Sequence, residues 1–134
     1  MLTLFDALFD KKFILVFLIL GSVPLYLVYV TLNIKLLYMP IINDDHFLSY
    51  CSAIVTLSAL IGAPFWGYIC DLKGFQYTIL LLIFIDTIIK IFGIFCEEKW
   101  SLVLMFLCLG INDKGLYTIV GPGLVSMFGI DLAT

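Results

Sequence analysis

FILVFLILGSVPLYLVYVTL, residues 13–32, is twenty residues long and carries no charged side chain. At a rise of about 1.5 Å per residue, a helix of that length is about 30 Å long, which is the thickness of a bilayer's hydrocarbon core. Hydrocarbon offers no partner for a backbone N–H or C=O, so a segment that satisfies every such group internally must be helical. The stretch is therefore read as a spanning helix, with Pro24, just after Gly21 and Ser22, expected to kink it. Lys11 and Lys12 precede it as they would in a secretory signal, but the apolar run exceeds the usual ~7–15 residues and no small-x-small cleavage site follows. The expectation is an uncleaved first helix.

Three more apolar runs lie downstream, over 47–69, 77–95 and 101–127. The polar connections between them fall at 33–46, which holds Lys35, Pro40, Asp44 and Asp45; at 70–76; and at Glu97-Glu98-Lys99-Trp100. Composition agrees: of 134 residues 63% are hydrophobic and 13% charged, against about 25% charged in soluble domains. The mean hydropathy is +1.19. The fold class expected is all-α, a polytopic membrane helical bundle of about four transmembrane helices forming one transmembrane domain over 1–134. Its first partner is the lipid bilayer, in the plasma membrane or an organelle inner membrane.

Charge narrows the function classes. All seven cations are lysines, scattered between apolar runs, and ten carboxylates leave a net charge of -3. A nucleic-acid partner needs a clustered basic face, so none is expected. Lys11, Lys12 and Lys73 against Lys35 and Lys99 favour the termini and the Asp71 turn on the cytoplasmic or matrix-like side. No enzyme is expected, because the sequence has no histidine-based dyad, no metal-ligand spacing and no glycine-rich phosphate cradle. For the same reason no metal and no cofactor is expected. Cys51, Cys70, Cys96 and Cys108 form no C-x-x-C pair and read as small core hydrophobes, although Cys51 and Cys96 fall near one membrane face, where a disulfide is conceivable.

Polar residues inside spans are costly, and so they mark where chemistry or helix contact occurs. Asp86 and Lys90 are four residues apart, on one helix face, where they can neutralise each other. Asn112, Asp113 and Lys114 lie within the fourth run between Gly110 and Gly115. Consecutive helical residues diverge by about 100°, so at least one of the three must meet a helix, a lumen or another chain. In the second run Ala59, Ala63 and Gly67 recur every fourth residue, flanked by Ser58 and Gly62. That spacing predicts close helix packing. Gly121-Pro122-Gly123 is expected to bend or break the fourth helix.

The turn after the second run reads Gly67-Tyr68-Ile69-Cys70-Asp71-Leu72-Lys73-Gly74-Phe75-Gln76. It resembles the loop signature of the major facilitator superfamily, G-x-x-x-D-R-x-G-R-R, with Gly67, Asp71 and Gly74 matching and Lys73 one place past the usual first arginine. Leu72, Phe75 and Gln76 stand where the family has arginines. Pro122 to Gly129, with three residues rather than four between Leu124 and Phe128, is similar to the P-x-L-x-x-x-x-F-G ending of a helix in the monocarboxylate and oxalate–formate branch. The resemblance implies that Asp71 engages a basic residue and helix termini to latch one conformation, with the glycines permitting the tight turn.

It also implies about four helices of one six-helix half, and transmembrane transport of a small solute as a partial or associated transporter. Completing a pathway then requires other membrane protein subunits or a second copy. The alternative is a non-transporting structural accessory subunit of a large membrane complex, such as an organelle's energy-converting machinery. Its polar residues would then serve helix contacts.

Overall fold

A computed structural model describes residues 9–128 of the chain and shows an all-helical molecule. Its five helices among the described residues are α1 (Lys11–Leu32), α2 (Ile34–Ile42), α3 (Asp45–Lys73), α4 (Phe75–Ile94) and α5 (Lys99–Phe128). By length and composition α1, α3, α4 and the stretch Lys99–Ser126 of α5 can each cross a membrane. In their most apolar stretches only 17% of α1 and 44% of α5 is buried inside the molecule. Large apolar side chains such as Phe17, Leu18, Leu25, Leu60 and Phe84 stand exposed. An apolar surface this extensive is compatible with lipid or a partner chain as its surroundings, and incompatible with water.

Helix starts follow local chemistry. Asp10 and Asp44 each place a carboxylate oxygen 3.0 Å from an N–H of the following turn, of Lys12 and Phe47 respectively, satisfying donors that no earlier carbonyl can reach. At the end of α1 the Asn33 amide and its backbone N–H both donate to Tyr29 O, at 2.9 and 3.1 Å. The chain then turns directly into α2, where a polar connection is predicted from sequence. The reason is burial: Ile34 and Tyr38 of this short helix enter the core. α2 ends at Asn43 with φ 49, a left-handed conformation that asparagine tolerates better than most residues.

The connection predicted over 70–76 contracts to a single residue. α3 continues through Lys73, α4 starts at Phe75, and Gly74 reverses the chain with φ +83. A residue with a Cβ would be strained there. Of the bend or break predicted at Gly121-Pro122-Gly123, the break does not occur, since α5 is helical through Phe128. Gly123 lies so close to the Phe75 ring that a Cβ there would overlap it, and the start of α4 thus backs α5 where Pro122 removes a donor. Gly129, the last residue of the second resemblance, lies outside the described residues.

α3 and α5 form the tightest pair. A Cβ on Gly62 would overlap the Ile111 backbone, and one on Gly110 would overlap Val55 O and Ser58 Oγ. The intimate face is therefore Ser58 and Gly62, which flank the predicted stripe, whereas a Cβ on Gly67 would meet only Thr118 Cγ2 at 3.5 Å. Without a hydrophobic driving force between helices in lipid, such close approach supplies the dispersion contacts that hold them.

Two apolar clusters fill the bundle. One gathers Leu48, Cys51, Ile89, Leu102, Met105 and Phe106; the other gathers Trp66, Phe75, Ile79, Leu82, Leu116 and Ile119. The start of α1, the Gly74 joint and the end of α5 share one end of the molecule, where Lys12, Lys73 and Ser126 line a common groove. At the opposite end Lys99 pairs with Asp44 at 2.7 Å and Lys35 with Asp45 at 2.6 Å.

Candidate functional site: a polar layer and a side cleft

Between the two apolar clusters runs a polar layer. Asp86 on α4 is buried, and Lys90, one turn later, reaches its carboxylate at 2.6 Å. The ammonium also lies 5.5 Å from the centroid of the Tyr26 ring on α1, so a cation–π contact supplements the ion pair. Asn112 on α5 is 2% exposed, and its amide nitrogen lies 3.4 Å from Leu82 O and 3.5 Å from Asp86 Oδ1. These bonds are long, and Asn112 Oδ1 is buried without a hydrogen-bond partner. Asp86, Lys90 and Asn112 thus form one layer that neutralises its own charge inside the bundle.

Asp113 and Lys114 face elsewhere. With Gly110 they line a cleft of about 510 Å³ between α1, α3 and α5. Its other walls are Leu27, Thr31, Ser52, Val55, Thr56, Ala59, Leu60 and Ala63. The Asp113 carboxylate lies 4.0 Å from Lys114 Nζ; the aspartate side chain is 11% exposed and the lysine 53%. Lys114 Nζ also lies 5.5 Å from the centre of the Tyr117 ring. The hydroxyls of Thr31 and Thr56 donate back to Leu27 O at 2.6 Å and Ser52 O at 3.4 Å, keeping acceptor capacity free. Among the described residues the Ser52 hydroxyl has no hydrogen-bond partner.

The five intramembrane polar residues singled out from sequence therefore divide. Asp86, Lys90 and Asn112 come together, whereas Asp113 and Lys114 line the cleft from the other side of α5. Of the turn residues, Gly67 is half-buried, and Asp71, Lys73 and Gly74 are exposed at the α3–α4 joint. No ion pair forms at Asp71 among the described residues, and the ion pairs that join separate elements sit at the opposite end. Cys51 and Cys96 share one apolar cluster, and all four thiols are free.

Sequence reading passed over two features. Trp66 is 1% exposed and packs against Gly115, with its indole nitrogen buried and unpartnered. The hydroxyls of Thr31, Ser52 and Thr56 become a polar wall only once α1 and α3 are placed beside α5. Among the described residues no group of histidine, cysteine, aspartate and glutamate is arranged to hold a metal ion.

Compared with known proteins, the chain matches no family model, no curated protein and no solved structure.

Proposed function

We propose that this chain forms part of the wall of a transmembrane pathway for a small solute, as a partial or associated transporter of major facilitator type. The observation that carries the reading is the cleft beside Asp113 and Lys114. Charges within a span are stable only against protein, water or ligand, since a charge at a bilayer centre costs about 2.5–3.5 kcal/mol even on insertion scales. An open cleft lined by a carboxylate, an ammonium and hydroxyls meets that need with water or a solute. The turn from Gly67 to Gly74 and the segment after Pro122 support the same reading by their resemblance to one family, in the same order and helix context.

The test is uptake of labelled L-leucine, glucose and acetate into proteoliposomes holding the protein, with and without Asp113→Asn. Transport is expected for at least one solute, reduced by the substitution at unchanged protein abundance. A second reading, the structural accessory subunit, draws on the self-neutralised layer of Asp86, Lys90 and Asn112 and on the exposed apolar helix faces. On that reading no solute moves, and Asp113→Asn lowers abundance or releases partner subunits.

A further inference from the structure

The cleft's chemistry narrows what it can hold. Its volume, about 510 Å³, lies within the ~300–1,000 Å³ range of small-molecule sites. Its charged lining consists of one carboxylate and one ammonium 4.0 Å apart, so the site is formally neutral. A monovalent cation bound at Asp113 would leave the site with a net positive charge in a medium of low dielectric, and an anion at Lys114 would leave it net negative. Either outcome is costly, because an uncompensated charge away from water loses its hydration. An occupant bearing both charges on groups attached to one carbon keeps the sum at zero and replaces the stretched Asp113–Lys114 contact with two shorter ones. The opposite wall supplies the remainder: Leu27, Val55, Ala59, Leu60 and Ala63 offer apolar contact, and Ser52 a free hydroxyl.

We propose that the cleft between α1, α3 and α5 is a binding site for a small zwitterion, an α-amino acid with an aliphatic side chain. Its ammonium lies on the Asp113 carboxylate, its carboxylate on Lys114 Nζ, and its side chain against Leu27, Val55 and Leu60. The inference rests on the transport reading in taking the cleft for a solute's site. Binding and movement are measured separately, so either can fail alone.

The experiment uses the full chain purified into liposomes and three probes that differ only in charge: L-leucine, 3-methylbutylamine and 4-methylpentanoate. The amine is leucine without its carboxylate, and the acid is leucine without its amine. Binding is read by equilibrium dialysis of labelled probe. Leucine is expected to bind at least about tenfold more tightly than either analogue. Asp113→Asn should reduce the preference over 4-methylpentanoate and Lys114→Met the preference over 3-methylbutylamine, and Lys12→Met, in the distant end groove, should leave both unchanged. Equal binding of all three probes, tighter binding of an analogue, or no binding of leucine by the folded wild-type protein would overturn the inference. Leucine binding with no uptake of leucine, glucose or acetate would leave the zwitterion site standing and remove the transport reading. Uptake of glucose or acetate without leucine binding would do the reverse.

Discussion

Lys90 holds Asp86 at 2.6 Å across one turn of α4, and Asn112 approaches the same carboxylate from α5. The pair is placed between two apolar clusters, where either charge alone would lack hydration. Asp86→Asn or Lys90→Met should therefore destabilise the bundle by about 2 kcal/mol, less than the ~3–5 kcal/mol typical of a fully buried pair because Lys90 keeps some access at 29% exposure. The double variant should recover much of the loss, since it removes both charges together. Thermal unfolding of the four proteins in one detergent measures the coupling. Additive losses would show that the two charges do not depend on each other.

Gly62→Val should cost more than Gly67→Val. A Cβ on Gly62 has only the Ile111 backbone to displace, so α3 and α5 must separate, and overpacking of this kind costs about 1–3 kcal/mol or more. At Gly67 the nearest atom is a threonine methyl at ordinary contact distance. Melting temperatures and expression levels of the two variants decide the matter. An equal drop for both would place the close helix approach along the whole stripe.

These two sites show what the sequence discloses and what it withholds. Asp86 and Lys90 could be paired from sequence because i and i+4 share a face by helix geometry alone. The four spans were legible for a similar reason, since a twenty-residue apolar run admits few other structures. Which face of α3 meets α5 was not legible. Ser58, Gly62, Ala59, Ala63 and Gly67 are all small, and only Gly110 and Ile111 of α5 select among them. α2 was missed because Asn33, Lys35 and Pro40 read as a connection, and only tertiary burial of Ile34 and Tyr38 favours helix there. The cleft could not be foreseen for the same reason, as its walls come from three helices far apart in sequence.

At the end bearing Asp44 and Lys99 the prediction concerns pH. The Lys99 ammonium, at 2.7 Å, and then the Phe47 N–H hold the Asp44 carboxyl below its ordinary value of 3.8. The folded state thus binds its proton less readily than the unfolded chain. Its stabilising contribution is complete above about pH 5 and disappears as pH falls through the lowered folded-state value. Asp44→Asn can still cap α3, because asparagine serves as well at that position, so the variant isolates the charge. The melting-temperature difference between wild type and variant should be constant above pH 5 and shrink below pH 4. A difference that persists unchanged to pH 3 would show that the ion pair contributes nothing.

The last prediction concerns the two ends. Lys73 lies with Lys12 and Ser126 at one end of the bundle, and His46 stands two residues after Asp44, which pairs with Lys99 at the other. Four helices that each cross a bilayer and alternate in direction place these ends on opposite faces. Single cysteines at His46 and Lys73, both exposed positions, can report this once the four native cysteines are replaced by alanine. His46→Cys also leaves the Asp44 cap intact. In sealed vesicles of uniform orientation an impermeant maleimide should label one of the two from outside, and the other only after permeabilisation. If the lysine bias governs insertion, His46→Cys is the residue labelled in intact cells, because Lys11, Lys12 and Lys73 stay on the cytoplasmic side. Labelling of Lys73→Cys in its place would reverse the orientation while keeping the topology. Labelling of both from one face would mean that α3 does not cross the bilayer, and the cleft between α1, α3 and α5 would then lose its place within the span.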